Sequence, residues 1–143
     1  MNLSDFAPLL IQMKRQQDKK MLFEENPIDE HFAEYDRRTG EIRLSGRHFN
    51  KPVLLHKDSA GLSKWQSLSE LTPDNLLSDV KADDYPEILI IGTGAVQKFI
   101  HPKIMADFSQ IGIGVECMNT ESACRTLAFL HSEGRKAWAW LQP

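Results

Sequence analysis

The apolar positions of the chain repeat with two different periods, and the switches between those periods outline its elements. Near the start, Phe6, Leu9, Leu10 and Met13 follow helical spacing behind Ser4, a good cap, and Pro8 falls early enough to be tolerated in a first turn. That stretch marks residues 1–27 as an N-terminal helical extension, set apart from a single domain over 28–143. The run HFAEYDRRTGEIRLSGRHF alternates instead. Phe32 and Tyr35 flank one strand, Arg38-Thr39-Gly40 turns the chain, and Ile42 with Leu44 point one way from a second strand, which together predict a β-hairpin. Val53, Leu54 and Leu55 supply a third strand, with Pro52 at its beginning where a missing N–H matters least, and Ser59-Ala60-Gly61 reads as a loop.

Helical spacing returns in LTPDNLLSDV. Thr72 fits the cap, Pro73 the first helical position and Asp74 the positive end of the dipole, leaving Leu76, Leu77 and Val80 as the buried stripe. Glu87 to Ile91 is apolar almost throughout, as expected of a strand covered on both faces. A helix from Pro102 comes after it, with Ile104, Met105, Phe108 and Ile111 on its core side and Gly112 as its stop. The strand IGVECM is next, then a helix after Thr120 that ends before Gly134, and RKAWAWLQ as a last strand. This β-α-β-α-β order predicts an α/β sheet, to which the N-terminal hairpin adds strands or a flap.

Composition narrows the function without naming it. The 143 residues suffice for one core without disulfides or metal, and 41% hydrophobic with 26% charged residues is ordinary for a globular domain. A formal net charge of -3 supplies no overall attraction to nucleic acid, so none is expected as a partner. No stretch approaches a membrane span, the N-terminus has no secretory pattern, and Cys117 with Cys124 lack the spacing of a redox or zinc pair. A cytoplasmic protein with no metal and no cofactor is the expectation.

Gly92-Thr93-Gly94 ends the apolar strand and raises the question of a phosphate site. A dinucleotide fingerprint needs a third glycine and a helix that opens at the turn, whereas Gln97 stands in the third place and the next helix waits until Pro102. No Gly-Lys-Ser/Thr comes after the turn, so a Walker loop fails as well. Two glycines at the carboxyl end of a strand still leave amides where open α/β sheets tend to bind ligands, and a tight turn with no ligand is the competing account. Asn119 and Thr120 at the next helix start offer a cap and further amides, while Glu116 and Arg125 can pair beside the turn, as a site or as a plain ion pair. The candidate ligand set is therefore Gly92, Thr93, Gly94, Glu116, Asn119, Thr120 and Arg125.

Winding the second helix at 100° per residue turns Ala123, Cys124 and Leu127 toward the core and sends Arg125 and Phe129 outward. Cys124 is thereby expected to be buried and inert, although a helix N-terminus beside Arg125 would activate an exposed thiol. Arg125, Phe129, Trp138 and Trp140 form a candidate partner surface, with packing as the other use of the tryptophans. No residue receives a catalytic role, since the five histidines show no ligand spacing and no Ser/His/Asp order.

Three blocks in order, LSKWQSLSELT, EILIIGTG and GIGVECMNTESACRTLAFLHSEGR, resemble the family that contains the mitochondrial respiratory complex I assembly factor 3 and many uncharacterised prokaryotic proteins, a domain of unknown function. The resemblance covers roughly residues 28 to 142. It implies a three-layer α/β fold with a mixed sheet, one strand running against the rest, and a role in assembling membrane respiratory complexes. It carries over Trp65, Gly92 to Gly94, Gly112, Gly114, Glu116, Met118, Thr120, Ala123 to Thr126, Glu133 and Arg135, none of them catalytic. Leu127 and Ala128 stand where the family commonly has tyrosine and asparagine, and Asn119 replaces a common aspartate. The leading expectation is thus a non-enzymatic binding or assembly module with an unidentified protein partner, compatible with self-association. The alternative is a small-molecule or anion-binding protein, with or without enzyme activity, using the Gly92–Gly94 turn and Arg125.

Overall fold

The computed structural model describes residues 32–56 and 59–143. The helical extension anticipated in the first 27 residues lies outside the described residues. Among the described residues, eight strands and three α-helices succeed one another in chain order: β1 (Ala33–Tyr35), β2 (Ile42–Leu44), β3 (Arg47–Phe49), β4 (Val53–His56), β5 (Ser59–Leu62), α1 (Pro73–Leu77), β6 (Ile88–Thr93), α2 (Pro102–Ser109), β7 (Gly114–Met118), α3 (Thr120–Ser132) and β8 (Ala137–Gln142).

Five strands make one mixed sheet in the order β5-β4-β8-β6-β7. β6 lies parallel to β7 and to β8, while β4 is antiparallel to β8 and to β5, so β4 alone runs against the other four. The remaining strands, β1, β2 and β3, form a separate antiparallel sheet. The fold is mixed α/β, with the central sheet between two layers.

Alternation along the strands divides the interior. Ile90, Ala139, Leu141 and Val53 face one side, where they meet Ala123, Cys124 and Leu127 of α3 and the apolar residues Ala33, Ile42 and Leu44 of the small sheet. Leu89, Ile91, Trp138 and Trp140 face the other side, against Leu76 and Leu77 of α1 and Phe108 of α2. The contrast within β8 is physical: alanines on one face let α3 approach, and tryptophans on the other fill the wider space under short helices. Burying an indole N–H needs an acceptor, and Trp140 Nε1 donates to Ser63 Oγ at 3.1 Å and to the Trp65 carbonyl at 3.0 Å.

Several expectations change here. The N-terminal hairpin neither extends the central sheet nor forms a flap; a second turn, at Ser45 and Gly46, adds β3 and makes an independent sheet that covers one face. Ser59-Ala60-Gly61, read as a loop, pairs with β4 as part of β5, because ladder hydrogen bonds outweigh the poor strand propensity of small residues. On α2, Phe108 is buried and Ile104 half-buried, but Met105 and Ile111 are exposed, their places in the core taken by Ile100 and Ile113 on either side of the helix. Thr72 caps α1 as expected, its hydroxyl accepting the Asn75 N–H at 3.1 Å.

Candidate functional site

Thr120 joins the two segments that the sequence singled out. It is fully buried at the first position of α3, where its N–H donates to the Gly94 carbonyl at 2.9 Å and its hydroxyl accepts the Gly94 N–H at 2.7 Å. The same hydroxyl donates to the Gln142 carbonyl at the end of β8. One side chain therefore ties together the ends of β6 and β8 and the start of α3.

The two glycines make that approach available. A Cβ added to Gly92 would lie 2.9 Å from both Thr120 Oγ1 and Leu141 Cδ2 and 3.0 Å from Thr120 Cα. Gly94 has φ +94°, and a Cβ there would come within 3.0 Å of the Pro143 carbonyl oxygen. Asn119 completes the junction as the cap of α3, accepting the Ser122 N–H at 2.8 Å. The turn and the helix start do converge, but by direct backbone packing: the amides of Gly94, Thr120 and Ser122 are engaged by protein acceptors.

Thr93 points to the other side and organises the connection from β6 to α2. Its buried hydroxyl donates to the Val96 carbonyl at 2.8 Å, has the Met118 carbonyl at 3.3 Å, and accepts the Lys98 N–H at 3.0 Å. Gln97 Nε2 donates to the Cys117 carbonyl at 3.3 Å, and the Cys117 thiol donates to the Lys98 carbonyl at 3.5 Å. The connection is thus braced, yet its apolar side chains face outward: Val96 is 63% exposed and Phe99 82%. Sequence reasoning missed this pair. The available signal was that Val96 and Phe99, between Gly94 and Pro102, fit neither the strand before them nor the helix after them.

Arg125 belongs to a different concavity. It lines a groove of about 480 Å³ between β1 and α3, together with Phe32, Glu34, Tyr35, Arg43, Glu121 and Ala128. Its guanidinium reaches Glu121 at 3.9 Å and Ser122 Oγ at 3.2 Å rather than Glu116, which is exposed on β7. Cys124 sits at the base of this groove and is buried; desolvation first, then the carboxylate of Glu34, push its thiol up to about 12, with Arg125 acting in the opposite sense. Phe129 is 61% exposed on the outer side of α3, whereas Trp138 and Trp140 are buried, which removes both tryptophans from any exposed surface. Their size and flanking helices make them core residues. Among the described residues no group of three or more His, Cys, Asp or Glu is placed to hold a metal ion, and no helix is long and apolar enough to cross a membrane.

A family model described as "Protein of unknown function (DUF498/DUF598)" matches residues 35–142. Two curated relatives share the name NADH dehydrogenase (ubiquinone) 1 alpha subcomplex assembly factor 3. The Danio rerio protein is 35% identical over 77 residues, covering 54% of this chain and 44% of that protein. The Bos taurus protein is 29% identical over 125 residues, covering 86% and 66%. The chain thus spans roughly half to two thirds of the length of these two relatives. Among solved structures, a Bordetella parapertussis protein is similar with a TM-score of 0.65 and 27% identity, covering 79% of this chain and 94% of that one. A Xanthomonas campestris protein is similar with a TM-score of 0.62 and 26% identity, covering 75% and 79%.

Proposed function

Because the chain belongs to the family described as "Protein of unknown function (DUF498/DUF598)", we propose that it is a non-catalytic binding module that assists the assembly of a membrane respiratory complex. The names of its relatives support the class of role. The observation that carries the reading to particular residues is the braced, outward-facing pair Val96 and Phe99. Exposed aromatic and aliphatic side chains on a loop pre-ordered by hydrogen bonds bind a protein surface with little ordering cost. In this reading Gly92, Thr93, Gly94, Asn119 and Thr120 are the frame that fixes the loop, and Glu116, Arg125 and Phe129 are exposed groups outside it.

A direct ligand role for the glycine turn has less support, since the Gly94 and Thr120 amides already have acceptors. The test is affinity capture from detergent-solubilised respiratory membranes by the wild-type protein and by Val96→Asp/Phe99→Asp. Recovery of NADH dehydrogenase subunits by the wild type, reduced at least tenfold in the variant, is the expected result. Equal recovery by both, or none by the wild type, counts against the proposal. A thermal-shift screen with phosphate, nucleotides and carboxylates addresses the anion reading, because a ligand that prefers the native state raises Tm.

A further inference from the structure

Resting on the reading of Val96 and Phe99 as partner-binding residues, we propose that the outer edge of β7 receives an extended segment of the partner protein as an added strand, with apolar residues toward Val96 and Phe99 and a basic residue beside Glu116. β7 is the last strand of the central sheet, so one of its sides has no neighbouring strand among the described residues. One bond decides which backbone groups face that side: the Gly114 N–H donates to the Glu87 carbonyl at 2.9 Å, where the parallel ladder with β6 begins. Backbone direction alternates along a strand, so Gly114, Glu116 and Met118 bond toward β6, while Val115 and Cys117 turn their backbone groups outward. Bonds within the chain close the two ends of this edge. The Ile113 N–H donates to the Phe108 carbonyl at 3.0 Å, and Gln97 Nε2 donates to the Cys117 carbonyl at 3.3 Å. Between them, the Val115 N–H and C=O and the Cys117 N–H have no protein partner among the described residues. Such a row selects an extended backbone, whose own groups repeat at the same spacing, over a helix, which keeps its groups inside.

The side chains around the edge set the character of the added strand. Val115 and Cys117 point to the α2 side of the sheet, where they share a core with Phe108, and Glu116 points to the α3 side with Met118. The connection that carries Val96 and Phe99 crosses on the α2 side, since the Cys117 thiol donates to the Lys98 carbonyl at 3.5 Å. Residues of an added strand beside Val115 and Cys117 therefore point toward that connection and gain from being apolar. The residue beside Glu116 gains from being Lys or Arg, because Glu116 is exposed and has no ion-pair partner among the described residues. The 5 residues of β7 extend about 17 Å, an ordinary length for a paired strand.

Amide-resolved hydrogen exchange of the full chain tests this, free in dilute solution and in the complex captured from detergent-solubilised respiratory membranes. In the free protein the Val115 and Cys117 amides are expected to exchange about tenfold faster or more than those of Glu116 and Met118, and in the complex to slow to the same level. Glu116→Lys, a change at an exposed side chain with Tm as the check on folding, is expected to lower capture roughly fivefold or more. Unchanged Val115 and Cys117 exchange in a complex that still depends on Val96 and Phe99 overturns the added strand and leaves that surface to a helix or loop of the partner. No capture, or equal capture by Val96→Asp/Phe99→Asp, overturns the surface and the strand together. Undiminished capture by Glu116→Lys overturns the basic residue beside it. Protection of the two amides in the free protein overturns the proposal as well, assigning the edge to a second copy where it rises with protein concentration and to pairing within the chain where it does not.

Discussion

Thr120 shows how much one buried hydroxyl can determine. It accepts from Gly94 and donates to Gln142, so Thr120→Val, nearly equal in volume, leaves a buried N–H and a carbonyl without their partner. A loss of about 1 to 3 kcal/mol is expected in urea denaturation, while Thr120→Ser, which keeps the hydroxyl, retains most of it. Gly92→Ala probes the same junction sterically; a Cβ at 2.9 Å from Leu141 and Thr120 costs about 1 to 3 kcal/mol by overpacking. Cys124 gives a chemical counterpart. A thiol pushed up to about 12 and buried on the inner face of α3 stays protonated at pH 8, so iodoacetamide labels it only after denaturation. Peptide mapping separates it from Cys117, whose thiol burial also raises, though it is only half-buried. The inward placement of Cys124 follows from helical winding alone and was legible in the sequence. That of Trp138 and Trp140 was ambiguous, because alternation groups them on one face without saying whether another layer covers it.

At the scale of elements, capping is the most readable device. Ser67-x-x-Glu70 closes a short 3₁₀ turn at Leu68–Glu70, where the Glu70 carboxylate accepts the Gln66 N–H at 2.9 Å and the Ser67 N–H at 3.0 Å. Those bonds hold the Glu70 pKa below its ordinary value of 4.5. A depressed pKa means that the unfolded chain binds more protons, so this contribution is present above pH 4.5 and fades as pH falls through the native value. Glu70→Gln is therefore expected to lower Tm near neutrality and to flatten the loss of Tm on acidification. The α1 cap at Thr72 was read in the sequence and the Ser67–Glu70 cap was not, although every group involved in each lies within four residues. The strand β5 was not read either, because Ser59, Ala60 and Gly61 have little strand preference and pair only through the partner strand β4.

For the whole molecule, the separation of frame from surface makes a clear prediction. Val96 and Phe99 project outward from a loop held by Thr93, so Val96→Asp/Phe99→Asp should leave thermal stability within about 0.5 kcal/mol of the wild type while abolishing partner capture. Parallel loss of both would mean that the loop packs more than it binds. Thr93→Val reverses the pattern: it removes the acceptor of the Lys98 N–H, loosens the loop and weakens capture with Val96 and Phe99 still present.

Much of the local structure was legible in the sequence: most of the periods, the caps of α1 and α3 and the glycine stops, the β-α-β-α-β order, and the outward position of Arg125 and Phe129. Each depends on residues a few places apart, whose interactions are set by helical or strand geometry before any packing. Which layers met was decided only in the folded molecule. There the β1–β3 sheet closed one face and the tryptophans were covered on the other. Gly94 and Thr120, 26 positions apart, satisfied each other's backbone groups instead of facing a ligand. Those outcomes follow from close packing and the need to pair every buried polar group, constraints that act between segments and leave no periodic mark along the chain.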